Sequence, residues 1–157
     1  MSHIHEKIDW TVEVFIVHKN RVLLRKHDKY NIWLSVGGHI ELDEDPVEAA
    51  KREVKEEVGL DVQLIGRDKG KGDGSVADHG YLDLLPPKYL GRHPINDNHE
   101  HITLVYFATT ETSEASDPSD IEDAEIFWAT KEDLEKMDLS PNVKWYAQKA
   151  LEELSTT

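Results

Sequence analysis

Polar and apolar residues partly alternate over residues 10–17 (WTVEVFIV), where β-branched and aromatic side chains are frequent, so a strand is expected. His18, Lys19 and Asn20 mark a turn, and residues 21–25 (RVLLR) supply a hairpin partner. A short strand is expected over 31–36, running into Gly37 and Gly38. The hydrophobic period then changes. Val47, Ala50, Val54 and Val58 fall on one stripe at about 100° per residue, which predicts a helix with that stripe on the core. Asp45 suits its N-cap, Pro46 its first position, Glu48 the capping box and Gly59 its stop. Further strands are expected over 60–66, 101–109 and 125–129, the second being the clearest buried one. A short amphipathic helix follows over 131–137. The last helix starts at Ser140-Pro141 and continues to about Leu154, with Val143, Tyr146, Ala147, Ala150, Leu151 and Leu154 at helical spacing. Strands on both sides of a central helix, with a long helix at the end, predict an α/β fold with a mixed sheet between helices.

The segments between these elements divide into three kinds. Residues 67–80 are rich in glycine and charge and are expected to form a mobile loop. Residues 111–120 (ETSEASDPSD) suggest a flexible surface connector, and residues 1–8 a tail whose His3 and His5 are exposed. Residues 86–98 (PPKYLGRHPINDN) place Lys88, Tyr89, Arg92 and His93 just before the long strand. They are candidates to line a substrate pocket; the alternative is an ordinary proline-punctuated loop. None of these segments is long enough to split the chain, so one domain over 1–157 is expected.

A chain of 157 residues can bury a sizeable core. Its net charge of −14 argues against a nucleic-acid backbone binder or a basic membrane-surface protein. With no cysteines, it has no disulfide, thiolate metal site or cysteine nucleophile. No apolar run has bilayer-spanning length, and the N-terminus lacks a signal-peptide pattern, so a cytoplasmic location is the default expectation.

The chemistry concentrates on the central helix. Glu53, Glu56 and Glu57 share a stripe adjoining the core stripe, with Ala49 among them. Three carboxylates one turn apart repel each other, and a divalent cation removes that penalty. Oxygen-only ligands suit Mg²⁺, with Mn²⁺ as a substitute. A bound cation also reverses the local sign, which lets an acidic protein hold a phosphate substrate. Ala49 is expected to leave room above the acids for a phosphate chain. Arg52 lies too far around the helix to be a simple member of the cluster; pairing with an acid such as Glu44, or a direct role on the substrate, are the two readings. Gly37 and Gly38 permit close backbone approach.

Residues 38–60, GHIELDEDPVEAAKREVKEEVGL, fill every specified position of G-x5-E-x7-R-E-U-x-E-E-x-G-U, where U is aliphatic. The chain therefore resembles the Nudix hydrolase family. That resemblance implies an α/β/α sandwich and metal-dependent hydrolysis of a nucleoside diphosphate linked to another moiety. Glu53, Glu56 and Glu57 would hold Mg²⁺, and the Gly37 carbonyl would be a further ligand. Val36 stands where many relatives have a proline. In similar proteins a glutamate at the position of Glu41 helps organise the metal or phosphate site; an exposed surface role is the alternative.

Two sources of a general base remain open: a box glutamate, Glu53 or Glu56, or a glutamate from outside the box, as in many relatives. Glu100, at the mouth of the long strand, is the outside candidate, as base or as extra metal ligand. His99 and His101 flank it and can orient a phosphate or shuttle a proton; His39 is a further, lesser candidate. Trp33, Tyr81, Tyr89 and Tyr106 are candidates to stack on a base, against ordinary core packing.

The expected substrate is a small nucleotide: a nucleoside triphosphate, including an oxidised one, giving the monophosphate and pyrophosphate. ADP-ribose or another nucleotide sugar is the alternative. An ADP-ribose subgroup tends to carry a proline about sixteen residues past the box, near which this chain has Val76. A non-catalytic nucleotide sensor is an alternative of another class, and the intact box acids argue against it. Dimers are common in similar proteins, so the resemblance admits a homodimer, with Trp128 or Trp145 as a candidate surface and burial within the monomer as the other explanation.

Overall fold

The computed structural model describes residues 6–27, 29–66, 73–76, 80–116 and 125–156. The chain runs β1 (Ile8–His18), β2 (Arg21–His27), β3 (Ile32–Leu34), β4 (Val36–His39), α1 (Pro46–Val58), β5 (Gln63–Ile65), β6 (Asp73–Val76) and β7 (Leu82–Leu84). It continues through β8 (Tyr89–Asn96), β9 (His99–Thr109), β10 (Ile126–Ala129), α2 (Lys131–Lys136) and α3 (Pro141–Leu154).

β1 organises the main sheet. Along one edge it pairs in parallel with β9 from Ile8↔Glu100 to Val17↔Thr109. Its other edge is shared: β2 takes the Val17 end, and β4 takes Thr11 to Val14, with Glu13 opposite Gly37 and Val12 opposite Gly38. β10 and β3 pair with β2, and β5 and β8 pair with β9, all antiparallel. β6 and β7 form a separate two-stranded ribbon.

Alternation along β1 builds two cores. Val12, Val14 and Ile16 face α1 and pack with Ala49, Ala50, Val54 and Val58. Phe15 and Val17 face α3 and pack with Val143, Ala147, Ala150 and Leu151, joined by Leu134 of α2. The result is a mixed sheet between helices, the expected sandwich. α1 starts as its sequence predicts. Asp45 accepts from the amides of Val47 and Glu48, the Asp45 amide donates to the Glu48 carboxylate, and Gly59 closes the helix at φ 68°.

Several expectations need correction. Ala49 does not leave space above the acids; it is fully buried in the α1 core, because the sheet is broad enough to cover two adjoining stripes. The segment 86–98 is not a loop but mostly strand β8. β8 is an edge strand among the described residues, where Pro94 needs no partner on its outer side, and a register shift follows it. Of the expected loop over 67–80, residues 73–76 form a strand, residues 67–72 and 77–79 lie outside the described residues, and β7 follows at once. Residues 111–116 are fastened: Ala115 packs on the α1 core, the Ser116 amide donates to Val58 O, and Trp128 Nε1 donates to Ser113 O. Residues 117–120, and residues 1–5 of the expected tail, lie outside the described residues. No helix among the described residues is long and apolar enough to cross a membrane.

Candidate active site

β4 delivers Gly37 and Gly38 to the flank of α1. The Gly37 amide donates to Glu57 Oε2 at 3.1 Å, and Glu57 lies 3.5 Å from Arg25 Nη1. A Cβ on Gly38 would fall 2.5 Å from Glu53 Cδ and 2.8 Å from its Oε2, so only glycine leaves this carboxylate its place. Gly38 is therefore required by close approach of the acid, and Gly37 by close approach of the β1 backbone at Val12 and Glu13.

Arg52 is the hub of the loop before α1. It binds Glu44 with both Nε and Nη2, at 2.9 and 2.6 Å, in a bidentate fork. Nη2 also donates to the His39 carbonyl at 3.0 Å. Nη1 reaches Glu53 and Glu56 at 2.8 and 3.0 Å, so Arg52 does join the acid cluster, contrary to its expected position. These bonds raise the guanidinium pKa well above its ordinary value, the Glu44 bond contributing most. The structural pairing with Glu44 is present as expected. Glu41 is exposed, and its amide donates to Glu44 Oε1.

The Arg52 bond, with help from the Glu41 amide, holds the Glu44 carboxyl below the ordinary carboxylate range. A depressed folded pKa means that the unfolded chain binds more protons, so this stabilisation is present above the unfolded pKa and is lost as pH falls through the folded value. Glu44→Gln should lower the melting temperature at neutral pH. Thermal melts as a function of pH should show that difference shrinking below about pH 4.

A cleft of about 780 Å³ opens on the α3 face of the sheet beside the two glycines. Its walls include Thr11, Glu13, Gly37, His39, His101 and Tyr146. The sequence reading missed Glu13. Burial raises its carboxyl pKa, partly opposed by a bond from Ser35, and its Oε2 finds no hydrogen-bond partner among the described residues. The available signal was a charged residue in the middle of an apolar strand.

The candidates outside the box are spread around the sheet. Arg92 lines the cleft and bonds Glu100 Oε2 at 2.7 Å. Glu100 is buried, and that bond keeps its pKa below the ordinary range. The described hydrogen bonds do not bring Glu100 into the Arg52 network. Lys88 is tied to Glu153 of α3, and Tyr89 packs among Phe107, Trp145 and Tyr146; both fasten α3 to the sheet and neither lines the cleft. His99 and His101 meet at Nε2 atoms 3.0 Å apart. Tyr106 is buried, with its hydroxyl donating to Leu85 O, and Trp33 packs against Phe127, whereas Tyr81 is exposed. Trp145 is 45% exposed and Trp128 is half-buried.

The donor set fits a hard divalent ion. Glu53, Glu56 and Glu57 offer only oxygen and sit on one helix beside a glycine pair that makes room for them.

The model of the NUDIX domain matches residues 8–149. A NUDIX-family hydrolase structure from Clostridium perfringens is 38% identical, with a TM-score of 0.80, covering 94% of this chain and 98% of that one. The structure of a MutT NUDIX hydrolase from Burkholderia pseudomallei shares the fold at 21% identity and a TM-score of 0.62, covering 96% of this chain and all of that one (100%). The m7GpppN-mRNA hydrolase NUDT17 of Xenopus laevis is 32% identical over 111 residues, 67% of this chain. The chain spans about a third of that relative's length, the match covering 34% of it. With the box, the glycine pair and the sandwich in place, the chain belongs to the Nudix hydrolase family.

Proposed function

We propose that this protein hydrolyses a phosphoric anhydride bond of a nucleoside diphosphate derivative. A nucleoside triphosphate, ordinary or oxidised, is the preferred substrate, with the monophosphate and pyrophosphate as products. The observation that carries this reading is the placement of the box acids beside Gly37 and Gly38, two glycines that also line a cleft large enough for a nucleotide.

Glu53, Glu56 and Glu57, with the Gly37 carbonyl, would hold Mg²⁺, and Mn²⁺ would substitute. Such an ion would supply charge neutralisation for the diphosphate, polarisation of the scissile bond and activation of water. Arg52 and Glu44 tie the end of β4, at His39, to α1 and to the loop between them. Arg92, His99 and His101 are candidates to hold the phosphate chain, and Glu41 to order the loop. Water adds to phosphorus and the bridging oxygen leaves with the departing phosphate; no covalent enzyme intermediate is needed.

The base is assigned to Glu56, whose side chain is 60% exposed, against 14% for Glu53 and 22% for Glu57. It has the freest access to water. Glu100 is the second candidate, but its side chain is only 7% exposed and is bonded to Arg92 at 2.7 Å, so it is far less open to an attacking water than Glu56. Glu100→Gln should therefore slow turnover by less than about tenfold in steady-state assays. A fall of about 10²–10⁴-fold, the usual worth of a general base, would move the role to Glu100.

The name of the Xenopus relative raises capped RNA as a second substrate class. The net charge of −14 disfavours a long polyanion. The test is a panel of nucleoside triphosphates, oxidised triphosphates, ADP-ribose, dinucleoside polyphosphates and capped RNA, each with Mg²⁺ and with product analysis. Mg²⁺-dependent release of pyrophosphate from a triphosphate supports the proposal. Tight binding of a nucleotide with no turnover of any panel member would favour a sensor.

A further inference from the structure

A second group of side chains of metal-ligating type lies apart from the box acids. Asp9 of β1, His39 at the end of β4, and His99 and His101 of β9 come from three strands that meet at one end of the sheet. Asp9 is directly opposite His101 in the β1–β9 register, and His99 and His101 share a face because strand side chains alternate. His39 pairs with Thr11, two residues along β1 from Asp9, which brings its ring to the same face.

One ligand atom from each of the four lies within 4.8 Å of all the others. His99 Nε2 and His101 Nε2 are 3.0 Å apart. Asp9 Oδ2 is 3.4 Å from His99 Nε2 and 3.5 Å from His39 Nε2. A tetrahedral ion with bonds of about 2.0–2.1 Å separates its ligand atoms by about 3.3–3.4 Å. The three observed separations bracket that edge. Rings of His39 and His101, and of His99 and His101, are near-perpendicular at centroid distances of 4.9 Å, so their faces do not stack.

We propose that Asp9, His39, His99 and His101 form a three-nitrogen, one-oxygen site for a borderline transition-metal dication, Zn²⁺ in first place. Imidazole-rich sites select such ions, whereas Mg²⁺ prefers the all-oxygen donors of the box. The site is distinct from the box acids in position and in chemistry. His39 and His101 also line the cleft, so the ion would add positive charge at its wall in a protein of net charge −14. The His39 carbonyl is held by Arg52, which couples this site to the box loop.

The test uses the full chain, stripped with a chelator and titrated with Zn²⁺ against a chromophoric competitor. Co²⁺ uptake, followed by visible absorption, reports tetrahedral coordination. Expected is one tightly bound Zn²⁺ per chain and an intense tetrahedral Co²⁺ spectrum. His101→Ala and His39→Gln should each weaken Zn²⁺ binding by more than about 100-fold, beyond the usual cost of losing an outer-shell partner. Circular dichroism checks each fold, and the exposed His39 carries the test if His101→Ala unfolds. Glu56→Gln/Glu57→Gln and His3→Ala/His5→Ala should both keep the site. No tight Zn²⁺ binding, an octahedral Co²⁺ spectrum, binding unchanged in His39→Gln, or binding lost with the box or N-terminal substitutions would each overturn the proposal.

Discussion

Glu57→Gln should lower turnover by at least about a hundredfold without lowering the melting temperature. The substitution keeps the shape of the side chain and one carbonyl oxygen. That oxygen can still accept the Gly37 amide, as Glu57 Oε2 does at 3.1 Å. What disappears is the negative charge. Losing an outer-shell partner of a metal typically costs roughly 10–100-fold, and losing a direct anionic ligand should cost at least the upper end of that range. The charge also repels Glu53 and Glu56 on the same helix face, and Arg25 and Arg52 offset that repulsion only in part. Removing it should leave the apo fold as stable as before. Steady-state kinetics and a thermal melt on the same preparation check both halves.

The two adjacent glycines should fail in opposite ways. A Cβ on Gly37 would press on the Val12 carbonyl oxygen and come within 3.1 Å of Glu13 Cα. Both are backbone atoms of β1 in the centre of the sheet and cannot yield without breaking the β1–β4 register. Gly37→Ala should therefore cost about 1–3 kcal/mol of stability, the usual range for overpacking, or more. A Cβ on Gly38 instead meets the Glu53 carboxylate, the far end of a flexible side chain. Glu53 can swing away at little cost to the fold. Its carboxylate then leaves the metal position, and misplacement by about 1 Å can cost about 10²-fold in rate. Gly38→Ala should melt near the parent temperature and lose most of its activity. Chemical denaturation and kinetics on the two variants separate the effects; equal melting temperatures would contradict the account of Gly37.

The architecture was largely legible in the sequence, for local reasons. β1 and β9 carry long β-branched and aromatic runs. α1 carries a full capping box and a glycine stop, and α3 has a clean helical stripe. β8 was not legible, because Pro94, Gly91 and its charged residues are loop-forming locally and are tolerated only at a sheet edge. Ala49 was misjudged for a related reason: helix spacing gives a stripe, but the width of the opposing sheet decides how much of it is covered. Of the site, the acid spacing and the Arg52–Glu44 pair followed from the chain alone, since both lie within about twenty residues. Glu13, Arg25 and the four residues Asp9, His39, His99 and His101 come together only through strand pairing between distant segments. A sequence read along its length carries no mark of that register. The same limit applies to Lys88 and Tyr89, whose roles depend on where α3 docks.

The central claim is that carboxylates of α1 hold the ion that makes a phosphoric anhydride cleavable. Calorimetric titration of Mg²⁺ into the full chain at neutral pH, with a non-hydrolysable nucleotide present, tests it most directly. The account predicts saturable uptake by the parent and none by Glu53→Gln/Glu56→Gln/Glu57→Gln. Equal uptake by both proteins, or none by the parent, would contradict it.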